Sequence, residues 1–148
     1  MQSGEDHQPA DSDHGSNHHL ALLIGLAYEE KADGHHEDGN MTGVEYIYHL
    51  NHHWGLGAAV EMEVFGDDHE RNGILAVPVS HFRGNWRFFA GPGVELRRDD
   101  ETEFMFRLGA GYEFHLSKRL TLSPEAMVDF VENGTNVYVV SLAFGLSL

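Results

Sequence analysis

The 148-residue sequence predicts an all-β fold, an eight-stranded antiparallel up-and-down transmembrane β-barrel, and three observations predict it. Large apolar residues recur at every second position through eight segments, the period that sends successive side chains to opposite faces of a strand. The opposite face is rich in glycine, alanine and serine set beside charged residues, a crowded mixture unlike the uniformly long, charged side chains of a solvated sheet. The connections alternate between long and short. A soluble barrel turns its apolar face inward. A barrel in lipid inverts that arrangement, with strands of ~9–11 residues and every backbone group paired across the wall, because hydrocarbon offers no water.

Composition removes several other classes. Twenty-four acidic residues against 9 basic ones leave a formal charge of -15 with the histidines neutral, which argues against a nucleic-acid partner. No run approaches the ~20 apolar residues of a membrane-spanning helix. Without cysteine there is no disulfide, thiolate metal site or thiol nucleophile. Seventeen glycines and 11% aromatic residues suit strands and turns.

Residues 1–17 (MQSGEDHQPADSDHGSN) are polar and acidic, and ordering them would bury too little to offset backbone entropy. They read as a disordered, histidine-rich tail ahead of a barrel domain over 18–148. The tail lacks the basic start and apolar core of a secretion signal, so an exported form would be a processed chain in which Met1 is a replacement initiator.

The eight strand segments follow in order. From His18 to Glu29, Leu20, Leu22, Ile24, Leu26 and Tyr28 oppose His19, Ala21, Gly25 and Ala27. From Met41 to Leu50, Val44, Tyr46, Tyr48 and Leu50 oppose Gly43, Glu45 and His49. From Trp54 to Phe65, Leu56, Ala58, Val60, Met62 and Val64 alternate with Gly55, Gly57, Ala59, Glu61 and Glu63. The fourth, Ile74 to Phe82, is the least regular, and its Pro78 has no N–H for a ladder. In the fifth, Trp86, Phe88, Ala90, Pro92, Val94 and Leu96 oppose Arg87, Phe89, Gly91, Gly93, Glu95 and Arg97. In the sixth, Phe104, Phe106, Leu108, Ala110, Tyr112 and Phe114 oppose Arg107, Gly109, Gly111, Glu113 and His115. The seventh sets Leu120, Leu122, Pro124, Ala126, Val128 and Phe130 against Thr121, Ser123, Glu125 and Asp129. The last sets Tyr138, Val140, Leu142, Phe144, Leu146 and Leu148 against Ser141, Ala143, Gly145 and Ser147.

After the first, third, fifth and seventh segments come EEKADGHHEDGN, GDDHERNG, RRDDETE and ENGT; after the second, fourth and sixth come NHH, RGN and SKR. Outer-membrane barrels have this asymmetry, with short turns on the periplasmic side and longer loops outside. An even strand number then puts both termini on the short-turn side, so the histidine tail is expected in the periplasm and the acidic loops outside the cell.

The closing segment Tyr138–Leu148 (YVVSLAFGLSL) resembles the terminal assembly signal of bacterial outer-membrane barrels, with Leu148 where phenylalanine is usual. The glycine–aromatic strands FFAGPGVEL and FRLGAGYEFHL resemble those of the outer membrane protein beta-barrel domain superfamily, including its small members with histidine-rich N-termini. The resemblance covers about Leu20 to Leu148. It implies an eight-stranded fold and placement in the outer membrane; lipid, lipopolysaccharide and the barrel assembly machinery are the expected partners of such a barrel, and a monomer its expected state. It carries over no catalytic residue.

An eight-stranded barrel has a lumen just wide enough for side chains to fill, so charges assigned inward are expected to pair. These are Glu45, Glu61, Glu63, Glu95, Glu113, Glu125 and Asp129, with Arg87, Arg97 and Arg107. Acids outnumber bases, so each arginine is expected to bridge several acids, with some glutamates protonated or hydrated by trapped water.

The histidines form the second constellation, because neutral imidazole is a common ligand for zinc, copper and nickel and carboxylates can complete the shell. His7, His14, His18 and His19 lie among tail acids, His35 and His36 in the first long connection, and His49, His52 and His53 at the first short turn. None has the spacing of a fixed zinc motif, so the signal is compositional and fits loose, reversible binding better than catalysis, with no cofactor required. The tail and the turn cluster fall on one side of the membrane and are able to share an ion.

His115-x-Ser117 resembles the His-x-Ser of outer-membrane lipid A deacylases. It falls at a short turn on the wrong side for the outer leaflet and lacks an acidic orienter, so Ser117, Lys118 and Arg119 read as a tight turn whose cations, like Arg83, face headgroups. Trp54, Trp86, Tyr112, Phe82, Phe104 and Phe114 stand near strand ends, where interfacial rings belong. Asp67, Asp68, Asp99, Asp100 and Glu101 have the chemistry of calcium ligands without EF-hand order and read as solvated acidic loops.

The sequence thus points to a non-enzymatic outer-membrane barrel that presents histidine- and acid-rich segments for weak transition-metal capture. Two alternatives stay open: a small ion conductor using the lumen acids, and a soluble lipocalin-like carrier with its apolar face inward.

Overall fold

Alternating apolar strands can pair all their backbone groups only by closing on themselves, since an open sheet leaves two unpaired edges. The computed structural model describes residues 17–66, 70–96 and 102–148. Among them there is no helix, and ten β-segments build the wall: β1 (His18–Glu30), β2 (His36–His49), β3 (Trp54–Phe65), β4 (Glu70–Ala76), β5 (Val79–Arg83), β6 (Trp86–Leu96), β7 (Thr102–Tyr112), β8 (Phe114–His115), β9 (Leu120–Val131) and β10 (Asn136–Ser147). β4 and β5 both lie between β3 and β6 and are halves of one strand. β7 and β8 both pair with β9 in one continuous register and are halves of another, so the barrel has eight strands.

Every pairing is antiparallel between chain neighbours, and β1 meets β10 from His19↔Ser147 to Glu30↔Asn136, which closes the cylinder. At the short-turn rim the Leu148 N–H donates to the His18 carbonyl at 3.0 Å and the Ser147 N–H to the Arg119 carbonyl at 2.8 Å. Residues 1–16 and the histidine tail reading lie outside the described residues.

Both interruptions fall at prolines. Pro78 has no N–H, yet the register is unchanged across it: the Val77 N–H reaches the Pro92 carbonyl at 2.9 Å and the Pro78 carbonyl accepts from Gly57 at 2.8 Å. The Val77–Pro78 backbone lies so close to β6 that a Cβ on Gly91 would lie 2.2 Å from the Val77 carbonyl oxygen. The β7–β9 register sets Tyr112 opposite Pro124, and the adjacent Glu113 instead donates its N–H to the Asn85 carbonyl at 2.8 Å.

The strand faces sort as the alternation predicts. Leu26 is 71% exposed and Val140 66%, both on the outer wall, whereas Glu61 is 3% and Arg107 2% exposed in the interior. The lipocalin-like arrangement is therefore not the one adopted. The interior is more mixed than the sequence reading expected: Leu23, Met41, Ile74, Phe89, Met105, Met127, Val137 and Val139 are buried among the charges. Phe82 is also buried and packs on His49 with ring centroids 4.9 Å apart, so it faces the lumen rather than the interface expected of it.

The long-loop side differs as well. β2 begins at His36, not Met41, because Glu30 to Leu26 supply backbone partners for His36 to Asn40. Much of the first long connection is thus strand, and only residues 31–35 turn the corner. β4 likewise starts at Glu70, ahead of the expected Ile74. Ladder hydrogen bonds form whatever the side chains, so polarity misplaced the strand ends.

Candidate functional site

The interior is crossed by two arginines that the alternation of β6 and β7 points inward. Arg87 donates from Nη1 and Nη2 to Glu45 at 3.1 and 2.7 Å, from Nη1 to Glu125 at 3.0 Å and from Nε to Ser80 Oγ at 2.9 Å. Its guanidinium also lies 4.3 Å from the centre of the Phe89 ring. Arg107 grips Glu61 with Nη1 and Nη2 at 2.6 and 2.7 Å and Asp129 with Nε and Nη2 at 2.8 and 2.9 Å. Such two-pronged pairs fix orientation as well as charge. Arg107 and Asp129 face each other on neighbouring strands, but Glu61 and Glu45 lie three strands away round the wall from their arginines, so each arginine is a brace across the lumen.

The braces take four carboxylates. Glu113, half-buried, stands within electrostatic reach of Arg87 and His115 near the short-turn rim. Glu63 and Glu95 are fully buried toward the other end. Both carboxylate oxygens of Glu63 lack a hydrogen-bond partner among the described residues, so the pairing expected of it is not made by protein groups there. Arg97 falls outside the described residues.

The histidines separate into two ends. His18, His19, His49, His52 and His53 gather at the short-turn rim, as the topology requires, and His81, which the sequence reading passed over, joins them. His18 hydrogen-bonds through Nδ1 to the Tyr46 hydroxyl and packs at a tilt against the Tyr48 ring, centroids 5.4 Å apart. His19 points into the lumen, its ring edge-on to His49 with centroids 6.3 Å apart. It fits because residue 145 is glycine: a Cβ there would come within 2.2 Å of His19 Nε2. His53 and His81 stack with centroids 6.2 Å apart. At the far end His36 stacks on Tyr28 at 5.5 Å. His35 donates its backbone N–H to Asp33 at 2.9 Å and sets its ring 2.9 Å from the same carboxylate, which holds Asp33 below the usual carboxylate range.

Among the described residues, no three histidines or carboxylates converge tightly enough to hold a metal. His7 and His14 lie outside them, as do the loop acids Asp67, Asp68, Asp99, Asp100 and Glu101. Ser117 Oγ accepts the N–H groups of Arg119 and Leu120 at 3.3 and 3.2 Å, which makes it a turn residue. Trp86 packs edge-on against Tyr112 at 5.1 Å and Tyr112 against Phe114 at 5.0 Å, forming an aromatic group on the outer wall at the same rim.

No protein-family model matches the chain, and no curated protein matches it. Solved structures do. Neisserial surface protein A superposes with a TM-score of 0.69 over 89% of this chain and 97% of its own, at 10% identity. The N-terminal β-barrel domain of Pseudomonas aeruginosa OprF gives 0.62 over 88% and 98% at 14% identity. Ail, the attachment invasion locus protein of Yersinia pestis, gives 0.57 over 86% and 97% at 15% identity. The fold is that of the small outer-membrane β-barrels. At such identities the likeness is one of architecture.

Proposed function

We propose that the protein is a non-enzymatic barrel of a bacterial outer membrane, monomeric, inserted by the assembly machinery and surrounded by lipid and lipopolysaccharide, with a closed lumen and its activity at its rims. The observation that carries this reading is an apolar outer wall around an interior crossed by two bidentate arginine braces. The dimensions agree. A strand of 12 residues, as in β3, extends roughly 40 Å at ~3.4 Å per residue and rises about 30 Å at a tilt near 40°, enough for an apolar band of ~25 Å.

The braces favour a plugged barrel over the ion conductor that the acidic lumen alone would allow. Purified barrel in planar bilayers is expected to stay silent. Steady single-channel conductance would replace this reading with the conducting one.

At the short-turn rim the gathering of His18, His19, His49, His52, His53 and His81 favours weak capture of zinc, copper or nickel. The structured rim supplies pairs of imidazoles rather than a complete shell, which fits loose binding. Calorimetric titration of zinc and copper into the folded protein, with and without residues 1–19, is expected to give affinity tighter than millimolar that weakens on truncation. Affinity no tighter than millimolar in the intact chain ends the metal reading.

A further inference from the structure

The outer wall is not uniformly convex. A shallow cavity of about 700 Å³ lies on it, floored by Ala90, Ala110 and Ala126, with Trp54 and His81 at one end and Tyr138 at the other. The floor exists because three neighbouring strands, β6, β7 and β9, each carry an outward alanine there, between the larger Leu108, Val128 and Phe88. The register Val79↔Ala90, Ala90↔Leu108, Leu108↔Val128 and Val128↔Tyr138 carries the groove across four strand spacings, roughly 19 Å at ~4.8 Å each.

Its polar end has a distinct chemistry. The His81 ring lies 4.6 Å from Trp54, and its Nδ1 is buried without a hydrogen-bond partner among the described residues. Two residues on, along the same outward face of β5, Arg83 is exposed opposite Trp86, and none of the ion pairs among the described residues engages it. The three short turns, NHH, RGN and SKR, contain Arg83, Lys118 and Arg119 and no aspartate or glutamate, in a chain whose formal charge is -15. Positive charge on the outer wall is thus set beside the end of the apolar groove.

We propose that this groove holds one glycerophospholipid of the leaflet at the short-turn rim, its acyl chain lying across Ala90, Ala110 and Ala126 and its phosphate at Arg83. A shallow apolar furrow accepts a flexible chain, and the Arg83 guanidinium, which none of the ion pairs among the described residues engages, supplies the counter-charge to a phosphate. A second copy seated here would bring two Arg83 side chains to one interface without acids to offset them. This inference rests on the membrane-spanning reading above.

The test uses the full chain folded into phosphatidylcholine vesicles containing phosphatidylglycerol, extracted into mild detergent and weighed by native mass spectrometry. Wild type is expected to retain one phospholipid per chain. Filling the furrow with Ala110→Trp, or with the milder Ala126→Leu should the first not fold, is expected to lower the retained fraction about tenfold. Arg83→Gln, which leaves the furrow intact, is expected to lower it by about the tenfold that one charge-assisted hydrogen bond represents. Heat-modifiable gel migration checks folding in every sample. Equal retention in a folded furrow-filled variant and wild type overturns the lipid site, as does a lipid-free dimer mass. Failure of wild type to fold into vesicles at all overturns the membrane reading and this inference with it.

Discussion

Replacing Arg107 by methionine keeps an unbranched apolar stem and removes the guanidinium brace. Four hydrogen bonds of 2.6 to 2.9 Å vanish, and Glu61 and Asp129, 3% and 1% exposed, are left facing each other without a cation. Removing one partner of a buried ion pair costs about 3–5 kcal/mol, mostly as the penalty of the stranded charge. Here two charges are stranded by one change, so Arg107→Met is expected to lose at least that amount, a large part of the roughly 5–15 kcal/mol of a small domain. The assay is equilibrium unfolding by guanidinium chloride in vesicles, followed by tryptophan emission. The triple variant Glu61→Gln, Arg107→Met, Asp129→Asn is expected to recover about half of the loss or more, since a neutral replacement removes the desolvated charges along with their partner. Acidification is expected to help the single variant and not the triple one, because an orphaned carboxylate escapes its penalty by binding a proton. Arg107→Met within about 0.5 kcal/mol of wild type, or a triple variant no better than the single one, would refute the brace as the interior's organising contact.

Other consequences are local. Gly91→Ala is expected to cost about 1–3 kcal/mol in the same unfolding assay, because its Cβ would lie 2.2 Å from the Val77 carbonyl oxygen and the Val77–Pro78 segment is backbone that yields poorly. Ser117→Ala is expected to cost only about 1 kcal/mol, the worth of its turn hydrogen bonds, and to leave every binding measurement unchanged. Substituting Arg87 and Arg107 together by glycine is expected to produce bilayer conductance that the wild type lacks.

The outline of the barrel was legible because strand parity is a two-valued signal. Leu22, Val60 and Phe144 fall outside and Glu45, Glu61 and Arg107 inside for the same reason, and Pro78 marked the one strand that the alternation left doubtful. The ends were not legible. His36 to Asn40 look like loop by polarity, yet their backbone groups pair with β1, and a ladder beyond the apolar band has no composition of its own. Phe82 sits at a strand end like Trp86, but its parity is inward, and parity decided its environment. Arg107↔Asp129 follows from register between adjacent strands. Its grip on Glu61 depends on closure of the barrel, which no local spacing reports. The rim gathering of histidines followed from topology, whereas the separation of their rings into pairs depends on side-chain packing that composition does not encode. His81 was missed because it stands alone in sequence; a search for histidines of outward parity near short turns would have found it.

Leu22 and Val60 offer the most direct measurement, because the chain contains no cysteine and a single one placed at either site has no competitor. With the folded variants in sealed vesicles free of detergent, Leu22→Cys and Val60→Cys are expected to resist a water-soluble maleimide and to react with a lipid-dissolved one, as positions on a wall against acyl chains must. Rapid labelling of both by the water-soluble reagent in a folded, detergent-free protein would contradict the inside-out barrel.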